Sequence, residues 1–332
     1  MATAENYRAF AAEAKGRSPQ YEALAGGVAG DAGLLGFLDS LPKPKRQPNL
    51  LFAAASYLLG EAPDITALRG LLDRRGADLA AVMMDRRTQT NEPARCATLL
   101  PALAQLRPPL ALIEVGASAG LTLLPDRYSY DYVGGFGDSG SHRVAGLDPA
   151  APTIRCAVGG PASLPSQVPE VAWRAGLDLN PLDVTRDDDV RWLSCLVWPG
   201  EGDRAERLAA AVATARRDPP AVHRGDLLTD LPALAAQAPP DATLVVFHSA
   251  VLAYVTAADR PRFAGAVGAV IGGRGGAWLS NEAPRVVPDV PLTGAQVRQA
   301  RENAALVLAR DGRTPLALAD GHGAWLHWLP PG

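Results

Sequence analysis

Apolar positions recur at helical spacing through the first third of the chain. Tyr7, Phe10 and Ala14 mark one stripe, Leu51 to Leu59 reads as a buried helix, and Ile65 to Leu72 is periodic again. This region, 1–106, carries no strand signal. Its last helix has a start of its own, with Asn91 as N-cap and Pro93 in the first turn, where a missing N–H costs nothing, and it runs to about Leu106. Past Pro108 and Pro109 the pattern changes. Leu110 to Val115 is a short apolar run of the kind found in strands buried on both faces. Further strands are predicted at Arg174 to Leu179, Ala221 to Gly225, Thr243 to His248 and Gly276 to Asn281, with helices near 187–197, 203–216, 229–237 and 258–271. Such alternation predicts an α/β fold with a parallel sheet wound by helices.

Between the first two strands, Arg127 to Val133 sets Tyr128, Tyr130 and Tyr132 on one face, and a Gly-, Ser- and Pro-rich stretch follows to Pro169. The composition predicts an inserted hairpin or flap over 127–170, mobile across 134–169. Near the C-terminus, Asp311-Gly312 between two apolar runs predicts a hairpin at an antiparallel edge of the sheet. The organisation expected is a helical region, 1–106, followed by a sheet domain, 107–332.

Composition narrows the function classes. The 332 residues are 48% hydrophobic and 20% charged, with no apolar run near the roughly 18 residues of a membrane span. A net charge of −3 without charge blocks gives no footprint for nucleic acid, Lys43, Lys45 and Arg46 being the one short basic cluster. Cys96, Cys156 and Cys195 are widely spaced, which supports neither a disulfide framework nor a zinc site and fits reduced thiols in a cytoplasm. The N-terminus lacks the apolar core of a signal peptide. The partner expected is a small molecule, with no metal; the oligomeric state stays open.

Candidate chemistry gathers at strand ends. Glu114-Val115-Gly116-Ala117-Ser118-Ala119-Gly120 reads as a buried strand, a turn of small residues that a ligand can approach closely, and a helix whose N-terminal amides would bind an anion. It matches neither Gly-x-Gly-x-x-Gly nor a P-loop. Asp178-Leu179-Asn180-Pro181, Gly225-Asp226 and Phe247-His248-Ser249 close the next three strands, where open α/β sheets bind ligands. An acid at Asp178 suits a ribose diol, and one at Asp226 an adenine amino group. His248 and Tyr254 are the candidate catalytic groups. Asn91, Glu92, Arg95, Trp192 and His322 are candidates to line a substrate pocket. The same turn also matches Gly-x-Ser-x-Gly, the nucleophile elbow of α/β-hydrolases, with Ser118, Asp226 and His248 or His322 in the right order, but no earlier strand supplies an oxyanion loop. A non-catalytic ligand-binding protein is the third reading.

The order of these strand-end motifs resembles the class I S-adenosylmethionine-dependent methyltransferases. The resemblance implies a Rossmann-like methyltransferase sheet and S-adenosyl-L-methionine as cofactor. The methionine end would lie on Glu114, Gly116, Ala117, Ser118 and Gly120, the ribose on Asp178 with Asn180, and the adenine on Asp226, with Ser249 nearby. Ser118 stands where those enzymes usually have their central glycine. Asp131 in the tyrosine strand is the alternative ribose acid, and choosing it would remove the insertion. Through Asn91-Glu92, the Gly-Ala-Ser-Ala-Gly turn, Arg191-Trp192, Val197-Trp198-Pro199, Phe247-His248-Ser249 and Gly321-His322-Gly323, the chain also looks like a bacterial family known as domain of unknown function 2332.

Overall fold

Five α-helices come first in the computed structural model, which describes residues 2–89, 91–134 and 140–330: α1 (Thr3–Ala14), α2 (Pro19–Ala29), α3 (Ala32–Ser40), α4 (Pro48–Leu59) and α5 (Ile65–Asp85). There follow α6 (Arg95–Leu103), β1 (Leu110–Val115), β2 (Ser129–Val133), β3 (Ser141–Val144), β4 (Thr153–Gly159), β5 (Val171–Asp178), α7 (Asp187–Cys195), α8 (Gly202–Arg217), β6 (Ala221–Arg224), α9 (Leu231–Ala235), β7 (Thr243–Ser249), α10 (Asp259–Gly272), β8 (Ala277–Glu282), α11 (Gly294–Glu302), β9 (Leu306–Arg310), β10 (Thr314–Ala319) and β11 (Trp325–Trp328). The chain divides into two compact units, Met1–Thr90 with Arg186–Leu208, and Asn91–Thr185 with Ala209–Gly332. The division falls at 90 and not at 106, and the helical unit recruits α7 and the start of α8 from far along the chain.

Aromatic packing and charge explain that recruitment. Tyr7, Phe10, Tyr21 and Phe52 form a cluster of tilted and edge-on rings with Trp198, ring centroids 4.9–6.4 Å apart, and the Trp198 indole donates to Asn49 at 2.9 Å. Arg86 pairs with Asp188 and Asp189 on the first turn of α7, where carboxylates also suit the helix dipole. Ser18 and Asp64 cap α2 and α5. The last of these helices runs well past the expected Leu72, with a break in its dihedrals at Arg75.

In the second unit one mixed sheet holds the described strands in the order β3-β2-β4-β11-β10-β9-β8-β7-β1-β5-β6. All five expected parallel strands are present, as β6-β5-β1-β7-β8, and β1 is buried on both faces as its apolar run predicts. Ala111, Ile113 and Val115 of β1 pack with Leu244 and Val246 of β7 under α9 and α10, contributing Leu231, Leu234, Phe263 and Val267. The alternate residues of the same strands, Glu114, Phe247 and Ser249 among them, therefore turn to the opposite face. Since β5 and β6 lie on one side of β1 and β7 and β8 on the other, the strand order reverses beside β1, where such sheets place a crevice at their carboxyl ends.

Two expectations fail outside that parallel core. The segment expected to be an inserted hairpin or flap is no flap outside the sheet but contributes β2, β3 and β4 to it: β2 pairs antiparallel with β3, as the hairpin alternative has it, and parallel with β4, and β4 pairs parallel with β11. The tyrosine stripe anchors it, since Tyr128, Tyr130 and Tyr132 are buried and donate to the carbonyls of Leu121, Pro125 and Ala97 at 2.7, 2.6 and 2.8 Å. Gly135 and Gly137 lie outside the described residues. The C-terminal hairpin forms with both Asp311 and Gly312 at positive φ, but β9 and β10 sit between β8 and β11 and are not an edge. β3 and β6 hold the two ends.

Candidate functional site

After β1 the chain makes a tight turn through Gly116 (φ 71°), Ser118 (φ 52°) and Gly120 (φ 72°) and enters a single 3-10 turn at Leu121–Leu123. The expected α-helix is absent, and with it the helix N-terminus that was to hold an anion. The turn's own side-chain space is filled by protein: a Cβ on Gly116 would meet Val251 Cγ2 at 2.5 Å, and one on Gly120 would meet Pro220 Cγ at 2.7 Å. These glycines answer to packing of the turn after β1 against the loop after β7 and the start of β6, as well as to their left-handed backbone.

Two side chains from elsewhere hold this turn. Asp178, ending β5, accepts the Ser118 amide at 2.8 Å on one oxygen and the Asn180 amide at 2.7 Å on the other. Asn91 accepts the Leu121 amide at 2.8 Å, so it binds the turn and does not cap α6, which starts only at Arg95. Glu92 accepts the Ala94 amide at 3.1 Å, and Thr122 donates its hydroxyl to Glu114. The guanidinium of Arg95 reaches the carbonyls of Gly321 at 2.8 Å and Ser249 at 3.0 Å, bringing the 321–323 loop to the end of β7.

Burial pushes Glu114 up to about 8, opposed by the Thr122 hydroxyl and the charge of Arg95, while Asp178 adds to the rise. Its second oxygen is buried without a hydrogen-bond partner, as is the amide oxygen of Asn281 on β8, whose nitrogen donates to Ser249 Oγ at 3.0 Å. Burial also holds the Cys96 thiol well above its usual range, with Glu114 the next contributor.

Glu114, Gly116, Ala117, Ser118, Gly120, Asp178, Asn180, Ser249, Asn91, Glu92, Arg95 and His322 thus lie in one unit, on the turn after β1 and the strand ends and loops beside it. The remaining expected residues are not among those that hold this turn. Trp192 belongs to the helical unit, fully buried, its indole donating to the Arg87 carbonyl at 3.0 Å. Asp226 caps its own loop, accepting the Leu228 amide at 2.7 Å. Tyr254 stands 71% exposed beyond β7. His248 is fully buried and committed. Its Nδ1 meets Glu282 at 2.7 Å and its Nε2 meets the Trp278 indole N–H at 3.0 Å. Indole only donates, which assigns the proton to Nδ1 and makes Nε2 the acceptor. The residue expected to be a base is therefore a linking group on the α9 and α10 side of the sheet.

A family model described as "Uncharacterized protein conserved in bacteria", domain of unknown function 2332, matches residues 4–328. The chain belongs to that family. No curated protein and no solved structure matches it. Among the described residues of this domain of unknown function 2332 protein, no helix is long and apolar enough to cross a membrane, and no group of three or more His, Cys, Asp or Glu is placed to hold a metal ion. Sequence reasoning missed Thr122, Asn281 and Glu282. Only for the last two was there a signal: polar residues interrupting an apolar strand at its carboxyl end, the pattern that marked Glu114.

Proposed function

We propose that this protein is an S-adenosyl-L-methionine-dependent methyltransferase acting on a small molecule, with its site at the carboxyl ends of β1, β5 and β7. One observation carries the reading: the order β6-β5-β1-β7-β8 with antiparallel β9 beside β8, which brings the carboxyl ends of β1, β5 and β7 to the reversal point with an acid near the end of two of them, Glu114 and Asp178. The buried second oxygen of Glu114 leaves one hydrogen bond for a ligand to complete, donated by the acid while it holds its proton. Bound there, the sulfonium would supply an activated methyl group. The chain's own part is positioning. Asp178 and Asn91 fix the turn, Arg95 ties the 321–323 loop to β7, and burial around Glu114 excludes water. Of the two candidate catalytic side chains, only Tyr254 is exposed.

The serine-esterase alternative has one observation in its favour, the left-handed backbone at Ser118. Against it, Ser118 is buried, no α-helix follows the turn, and both His248 nitrogens are engaged by β8. Calorimetry with S-adenosylmethionine, S-adenosylhomocysteine and NAD separates the readings. Binding of the first two with a raised melting temperature is expected. No binding at millimolar ligand to folded protein removes the methyltransferase reading, and stoichiometric fluorophosphonate labelling of Ser118, lost in Ser118→Ala, installs the esterase in its place.

A further inference from the structure

The loop leaving β7 hangs on one carboxylate oxygen. Ala250 takes φ 59° and donates to the Asn281 carbonyl at 2.9 Å, after which the amides of Val251 and Leu252 both donate to Glu282 Oε1, at 2.8 and 3.1 Å. The same oxygen accepts His248 Nδ1–H at 2.7 Å, while Oε2 is buried without a partner. Glu282 is 1% exposed. Sequestering a carboxylate is costly, and an aliphatic side chain would fill this strand position more cheaply, so what the acid adds is its three bonds. Two of them end on the loop whose Val251 side chain lies against Gly116. That loop then continues into the Leu252–Tyr254 turn.

The geometry points to Glu282 as a positioning residue of the candidate site: it holds the loop after β7, and Val251 with it, against the turn after β1. His248, oriented by Trp278, holds Glu282 in turn. The inference rests on the methyltransferase reading for the identity of the ligand alone.

Glu282→Ala and Glu282→Gln test it by two readouts, amide hydrogen exchange over 250–254 and the calorimetric Kd for S-adenosylhomocysteine, measured well below each variant's melting temperature. A third variant, Leu234→Ala in α9, serves as a core control of comparable stability loss. Removing the acid should speed exchange over 250–254 at least tenfold with the rest of the sheet unchanged, and weaken binding at least tenfold. Gln keeps an acceptor oxygen and should restore slow exchange and most of the affinity, and the control should leave Kd within twofold. Unchanged exchange in folded Glu282→Ala overturns the proposal, as does an equal loss of affinity in Leu234→Ala. If Glu282→Ala does not fold, Glu282→Asp, shorter by one methylene, takes its place. If the wild-type protein binds no S-adenosylhomocysteine, the methyltransferase reading fails and the exchange comparison still decides whether Glu282 positions the loop.

Discussion

Asn91 and Leu121, thirty residues apart, are joined by one buried hydrogen bond of 2.8 Å from the Leu121 amide to the Asn91 side-chain oxygen. This bond fixes where the β1 turn ends. Asn91→Leu should cost about 1 to 3 kcal/mol of stability because it orphans a buried amide, whereas Asn91→Asp, which keeps the acceptor, should cost less. Urea denaturation of the two variants checks the order; equal losses would mean that side-chain volume and not the hydrogen bond matters.

Asp178 reads in the sequence as an acid suited to a ribose diol, yet both its oxygens accept backbone amides. Asp178→Ala should therefore destabilise the protein by about 1.5 to 3 kcal/mol, the range for a lost hydrogen bond to a charged group. Asp178→Asn, left with one acceptor, should lose roughly half as much. A melting temperature unchanged in Asp178→Ala would return the residue to a purely ligand-binding role.

Glu114 makes stability depend on pH in an unusual direction. Its folded value of about 8 lies above the ordinary carboxyl range, so between about pH 4.5 and 8 the folded state holds a proton that the unfolded state releases. Stability from this group is complete below that window, falls as pH rises through it and levels off above it. Glu114→Gln, a neutral mimic of the protonated acid, should match wild type near pH 5 and melt several degrees higher at pH 8.5. Parallel pH profiles for the two proteins would show that the acid is ionised in its buried site.

Arg174 and Asp126 replace the missing helix after β1 as the brace of that connection. They form a bidentate pair at 2.7 and 2.7 Å, with Asp126 side-chain exposure at 2%, and Arg174 also donates to the Leu123 carbonyl at 2.8 Å. Asp126→Asn alone should cost about 3 to 5 kcal/mol by leaving the largely buried Arg174 guanidinium without its carboxylate, and Arg174→Met should cost less, because Arg127 stays 3.6 Å from Asp126. The double variant should cost less than the sum, which a double-mutant cycle measures. Strict additivity would mean that the pair carries no coupling.

The sequence by itself determined the elements whose pattern is local. Period-3.6 stripes placed α1, α4 and α5, apolar runs closed by polar residues placed β1, β7 and β8, and the alternation of strands with helices placed β5 and β6. A turn dipeptide placed the β9–β10 hairpin. It also brought most of the strand-end residues to one place, because parallel strands joined by right-handed crossovers end at the same edge. Tertiary structure decided what depends on partners distant in sequence. β4 is a strand because β2 and β11 flank it, and a glycine- and proline-rich stretch shows nothing of that pairing in its own composition. Asn91 reads as a cap until Leu121 is folded beside it, and His248 reads as a base until Trp278 and Glu282 take its two nitrogens. A side chain's type limits the bonds it makes. Which donor or acceptor it meets is fixed by strand register and loop packing, and these exist only once the chain has closed on itself.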